Sequence, residues 1–205
     1  MMGGQARMTH ATTEKIMSLQ EFLNYDQDTD AGYELEDGRL LLMPTESEIN
    51  RRIACFLFAY FLQLGVSFSR LTLKTELVMM GSRTTVRIPD LMVLTETLVQ
   101  MMEGASRSLI TLDMPPPQMV VEVVSPGQEN QQRDYRYKRS QYQARGIPEY
   151  WIIDPIQQQI TVFSLVTGLY EQAIFTGDMV INSAFLSDYN QPSPLRASQL
   201  LQTQN

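Results

Sequence analysis

Six consecutive residues, Met119-Val120-Val121-Glu122-Val123-Val124, constrain this chain more than any other segment. Five apolar side chains around one carboxylate leave no polar face, so a strand made of them must be covered on both sides. That demands a sheet with other elements packed over each face. Glu122 then stands inside the covered region. A carboxylate buried there without a partner costs several kcal/mol, and it needs either a basic side chain or a bound cation. A second apolar run, Val86 to Leu94, carries Asp90 immediately after Pro89, and the same penalty applies to it. A salt bridge for each would answer the problem; a divalent ion shared by the two would answer it at once, because hard cations such as Mg²⁺ take oxygen ligands from one or two carboxylates plus waters and phosphate.

The remaining periodicities set this strand in a mixed α/β (α+β) chain. Ser18 with Glu21 reads as a capping box that opens a short helix ending near Tyr25. Tyr33-Glu34-Leu35, an Asp37-Gly38 turn and Leu40 to Met43 read as a hairpin. From Ser47 the residues Ile49, Ile53, Phe56, Leu57, Tyr60, Phe61 and Leu64 recur at helical spacing, and Gly65 stops them. Three strands are expected next, over 66–73, 76–80 and 86–94. The stretch 95–117 is mixed and ends in Pro115-Pro116-Pro117, which forces an extended entry into the Met119 strand. A helix is expected over about 130–145, with Gly146 past its end, and strands over 149–154, 159–165 and 170–175. One domain over 18–188 follows, flanked by a flexible tail at 1–17 and a polar tail at 189–205. A mixed central sheet flanked by helices fits this order.

Two scarce residues narrow the chemistry. His10 is the only histidine, in the expected tail, and Cys55 is the only cysteine, read as a small apolar filler in a helix. Histidine-based nucleophilic catalysis and zinc sites built on imidazole or thiolate therefore drop out. Carboxylates, lysine and hydroxyls must carry any catalysis. No apolar run approaches the length of a membrane span and the chain starts without an apolar stretch, so a cytoplasmic protein with no membrane partner is expected. The net charge of −7 excludes a basic nucleic-acid coat, but Arg133, Arg136, Lys138, Arg139 and Arg145 face only Asp134 within thirteen residues. Arg133, Arg136 and Arg139 are candidate phosphate contacts. Asp134, Lys138 and Tyr142 recur every four residues and share one helix face. Lys138 is either half of an ordinary surface pair with Asp134 or a lysine aimed at the carboxylates.

The ordered set Pro89-Asp90, Glu122-Val123-Val124-Ser125-Pro126, Asp134 with Lys138, Tyr142, Gly146, Pro148 and Glu149-Tyr150-Trp151-Ile152-Ile153-Asp154-Pro155 resembles the Uma-two family of restriction-endonuclease-like proteins, within the PD-(D/E)XK nuclease superfamily. The resemblance starts at Tyr33-Glu34-Leu35-Glu36-Asp37-Gly38 and covers 33–155. It implies a restriction-endonuclease-like core and a metal-dependent phosphodiesterase site: Asp90 and Glu122 as ligands of Mg²⁺ or Mn²⁺, Lys138 as the catalytic lysine and Glu34 as an accessory acid. It also implies nucleic acid as the partner, DNA first, and a homodimer. Two positions depart from the pattern. The superfamily lysine two residues after the glutamate is replaced by Val124, so Lys138 has to arrive from the helix, as in the family. Where members often carry a histidine at the start of the long helix, this chain has Asn50. A binding module that keeps the nuclease fold without cleaving is the alternative that these departures and the acidic charge favour.

Overall fold

The computed structural model describes residues 15–25, 32–43, 47–125, 133–191 and 193–201. Helix α1, Leu19–Leu23, opens on the expected box: the Glu21 N–H donates to Ser18 Oγ at 3.2 Å, and the Ser18 N–H donates to Glu21 Oε2 at 2.9 Å. Strands β1 (Tyr33–Glu36) and β2 (Arg39–Leu42) form the hairpin. Asp37 and Gly38 both have positive φ, 48° and 77°, the condition for a two-residue turn that matches the strands' twist. Helix α2 spans Glu48–Gln63 and is capped by the Ser47 hydroxyl.

The chain has the mixed α/β architecture expected, its strands arranged in two mixed sheets flanked by helices. The first has the order β2-β1-β5-β4-β7, with β4 at Glu76–Met79, β5 at Thr85–Arg87 and β7 at Leu109–Ile110. The second has the order β11-β10-β9-β8-β6-β3. Its members are β3 (Leu71–Thr72), β6 (Leu91–Val93), β8 (Met119–Val123), β9 (Glu149–Asp154), β10 (Gln159–Val166) and β11 (Leu169–Thr176). The single strand expected over 86–94 is therefore two strands in different sheets. Proline has no N–H for a ladder and constrains its predecessor, so the chain leaves one sheet at Ile88-Pro89-Asp90 and enters the other. The 66–73 segment shortens to a 3₁₀ turn, Phe68–Arg70, followed by β3. Helix α3, Glu96–Met102, and β7 lie in the stretch that the sequence left mixed.

Strand β8 is buried along its length, and its alternation assigns a layer to each face. Met119, Val121 and Val123 join a core with Ile53, Leu57 and Phe61 of α2, Trp151, and the two short helices that follow helix α4 (Arg139–Arg145) in the chain, α5 (Ala184–Ser187) and α6 (Ala197–Leu201). Val120 and Val124 pack on the opposite side with Leu77, Met79, Leu98, Tyr142 and Tyr150. That second layer includes α4, Arg139–Arg145, which continues from a π-helical stretch at Arg133–Lys138. The expected polar tail from 189 needs correction: Leu195, Ala197, Leu200 and Leu201 are buried in the first layer, so the ordered domain runs past 188. Cys55 also differs from expectation. It is exposed on α2, with Arg51 Nη1 at 4.0 Å from its sulfur, while Ile53 and Ala54 fill the interior.

Candidate active site

Glu122 shares the face of β8 that carries Val120 and Val124, the face covered by α4. Strand β6 runs antiparallel beside it, pairing Leu91 with Val121 and Met92 with Val120. One step further along this register sets Asp90 opposite Glu122. Asp90 Oδ2 accepts the Val123 N–H at 2.7 Å, which ties the turn after Pro89 to the residue following Glu122.

Lys138 reaches the same spot from the helix. Its Nζ lies 2.8 Å from Glu122 Oε1, and the Tyr142 hydroxyl donates to that oxygen at 2.5 Å. Residues four apart project from one side of a helix, and here both converge on a single oxygen. The three side chains are 3%, 2% and 0% exposed for Glu122, Lys138 and Tyr142, so this is a buried ion pair and not a solvated surface contact. Burial, and then the neighbouring Glu122 charge, push the Tyr142 phenol well above its usual range, which keeps it a donor. The side chain of Asp134 lies outside the described residues. Gly146, with φ 77°, ends α4 in the left-handed conformation, and the chain turns through Ile147 into β9.

A second buried pair adjoins the first. Arg87, from β5, gives Nη1 to Glu34 Oε2 at 2.9 Å, Nη2 to Glu36 Oε1 at 2.8 Å and Nε to Gln141 Oε1 at 2.9 Å. Glu34 and Arg87 are both fully buried. Glu34 Oε1 also accepts the Ile88 N–H at 3.0 Å, two residues before Asp90. Glu34 thus anchors the backbone that presents Asp90, while Gln141 connects Arg87 to the helix bearing Lys138 and Tyr142. Asn50, 3% exposed, gives its amide to Val123 O at 3.2 Å and Ser125 Oγ at 3.0 Å and accepts from Ser47 Oγ at 2.8 Å. It joins the start of α2 to the end of β8.

Residues 19–194 match the Uma2 family, described as "Putative restriction endonuclease". The chain belongs to that family. A crystal structure of a protein titled a putative nuclease belonging to DUF820, from Anabaena variabilis ATCC 29413, superposes with a TM-score of 0.66 at 16% identity, over 91% of this chain and 98% of that one. It shows a shared fold. No curated protein matches the chain. Uma2 membership supports a nuclease, with nucleic acid as its substrate.

The Uma2 site residues expected from sequence are not all gathered in one place. Lys138 meets Glu122 where the helix covers β8, Asp90 is tied to the backbone of the following residue, Val123, and Glu34 lies nearby, bonded to the Ile88 N–H and to Arg87. Arg136 is exposed on the π-helical stretch. Arg139 instead lies over the Phe163 ring, 5.0 Å from its centroid, with Nη2 3.5 Å from Tyr170 O. Its guanidinium is used in packing against β10 and β11. Only the backbone of Arg133 falls within the described residues. Among those residues no group of three or more His, Cys, Asp or Glu side chains is arranged for a metal; the carboxylates that could serve one are those of Asp90 and Glu122. Two hard carboxylate donors suit a divalent ion that keeps much of its water or takes phosphate oxygens. Reasoning from sequence missed Arg87 and Gln141, and marked Asn50 only as a departure from the family pattern. For Arg87 the signal was available: a charge between Val86 and Ile88 is the pattern that singled out Asp90 and Glu122.

Proposed function

We propose that this Uma2 protein is a metal-dependent endonuclease that hydrolyses phosphodiester bonds in DNA, with Asp90 and Glu122 holding Mg²⁺ or Mn²⁺ and Lys138 as the catalytic lysine. The observation that carries this reading is the buried ammonium of Lys138 2.8 Å from Glu122 Oε1, with Asp90 bonded to the N–H of the next residue along β8.

A bound divalent ion would offset charge on the scissile phosphate and make an attacking water more acidic. The chain's own groups do the rest. Asp90 is held by the Val123 N–H and Glu122 by Tyr142 and Lys138, so both carboxylates are oriented before a ligand arrives. Lys138 presents up to three donors on a flexible stem; its ammonium can orient a water or neutralise a phosphate oxygen. Arg136 is available to a flanking phosphate, and Glu34 supports Asp90 through the Ile88 N–H. A homodimer cutting both strands belongs to the same proposal and rests on the family resemblance.

The test is cleavage of supercoiled plasmid DNA with Mg²⁺, with Mn²⁺ and with EDTA, by the full chain and by Asp90→Ala and Glu122→Gln. Nicking or linearisation that needs metal and both carboxylates supports the proposal. Salt-sensitive DNA binding with no cleavage under either metal selects the non-cleaving binding module, which the engagement of Asn50 with Val123 and Ser125 favours over a histidine-assisted site.

A further inference from the structure

Among the described residues, Tyr142 and Lys138 both donate to Glu122 Oε1, and they are mechanically unlike. Tyr142 delivers its hydroxyl from the end of a rigid ring with two side-chain torsions. That ring is fully buried and set edge-on against Tyr150, with centroids 4.8 Å apart and planes at 68°. Its Cα lies within the regular helix α4. Lys138 delivers its ammonium on a four-carbon stem from the last residue of the π-helical stretch, where the winding changes. Wide turns of this kind recur at functional sites because they loosen the regular ladder. Of the two donors, tyrosine is built to stay and lysine is able to move.

We propose that Tyr142 is a positioning residue for Glu122: its hydroxyl holds the carboxylate in place so that Lys138 can withdraw its ammonium from Oε1 and engage the reacting phosphate or water. This rests on the nuclease reading of the site. In a strand-borne E-x-K arrangement the backbone places glutamate and lysine together. Here Val124 occupies that slot, and the helix supplies both the lysine and a second donor to the glutamate. Gln141, beside Tyr142, bonds Arg87 at 2.9 Å and fixes that part of the helix to β5, so the anchor is itself anchored. Outer partners of metal-binding carboxylates and imidazoles are worth roughly 10- to 100-fold in metal affinity, which sets the scale of the effect.

The experiment compares Tyr142→Phe and Lys138→Ala in the full chain by Mn²⁺ calorimetry, thermal melting and crystallography, alongside plasmid cleavage. Tyr142→Phe preserves ring volume and should weaken Mn²⁺ binding about tenfold while the variant remains folded. Lys138→Ala should keep Mn²⁺ affinity within about threefold, lose cleavage, and leave the Glu122 side chain in its wild-type orientation. Tyr142→Phe with wild-type Mn²⁺ affinity and an unmoved Glu122 overturns the proposal. So does a Glu122 that swings away in Lys138→Ala, an outcome readable even if Tyr142→Phe fails to fold. Should the wild-type chain bind no Mn²⁺ and cut nothing, the nuclease reading fails by itself, and the Glu122 orientations in the two variants still decide whether Tyr142 is the anchor.

Discussion

Two buried cations divide the work around the carboxylates. Arg87 satisfies Glu34, Glu36 and Gln141 at once with a planar fork. Burial opposes its charge, but the Glu34 and Glu36 carboxylates more than offset that and leave it more basic than usual. Removing one member of a buried pair strands the other, at a cost of about 3–5 kcal/mol. Arg87→Met should therefore lower unfolding free energy by about that amount in urea titrations; a loss below about 1 kcal/mol would show that water reaches Glu34 once the guanidinium is gone. In the proposed mechanism Lys138 serves catalysis instead. Lys138→Ala should abolish metal-dependent cleavage while the fold persists by circular dichroism. Lys138→Arg should fail as well, because guanidinium differs in shape and does not release a proton near neutral pH. Full cleavage by Lys138→Ala would remove it from the mechanism. At this scale the sequence was legible wherever a charge interrupted an apolar run, as at Asp90 and Glu122. Convergence of Lys138 and Tyr142 on one oxygen was not, since it depends on how α4 docks on β8. The partners of Asn50 were not legible either: the sequence marked it as a departure from the family pattern, but a polar residue in the first turn of a helix looks solvated until Val123 and Ser125 are brought to it.

Elements with a strong local pattern, the capping box, the hairpin with its Asp37-Gly38 turn, α2 and β8–β11, are where the sequence puts them. The failures lie where tertiary context overrides the pattern. Val86 to Leu94 is apolar enough for one strand, yet Pro89 lets it serve two sheets, and that break is what frees Asp90 to face Glu122. The terminal segment looks polar because its buried apolar residues, Leu195, Ala197, Leu200 and Leu201, are interspersed with Arg196, Ser198 and Gln199. Glu149 shows how such elements are joined. Its Oε1 accepts the Trp151 Nε1–H at 2.6 Å and its Oε2 accepts the Phe185 N–H at 3.0 Å at the start of α5. Burial is the dominant influence and raises its pKa above the ordinary 4.5, against the lowering effect of these hydrogen bonds. A carboxyl whose pKa is higher folded than unfolded favours the folded state most below the unfolded value and loses that contribution as pH rises through the folded one. The stability of wild type relative to Glu149→Gln, from urea unfolding, should accordingly fall as pH rises from 4.5. A difference independent of pH would mean that the carboxyl titrates alike in both states.

For the molecule as a whole, the charge of −7 makes long-range attraction to nucleic acid weak, so binding has to come from a local basic surface. Arg136 is exposed on the stretch leading to Lys138, whereas Arg139 is occupied over Phe163. Arg136→Ala should reduce the salt dependence of DNA binding by roughly 0.7–0.9 in the slope of log K against log salt, one phosphate's worth, and Arg139→Ala should leave the slope unchanged. Fluorescence anisotropy across a salt series measures both, and an unaltered slope for Arg136→Ala would take this surface out of the interface. No helix among the described residues is long and apolar enough to cross a membrane. The exposed Cys55 carries a practical consequence. As the sole thiol of the chain, five residues along α2 from Asn50, it offers one chemical address about 7.5 Å of helix rise from the end of the site. A nitroxide attached there needs no mutagenesis. Paired copies would then give one inter-label distance by dipolar spectroscopy, and Mn²⁺ bound between Asp90 and Glu122 would shorten the relaxation of the label within its own chain.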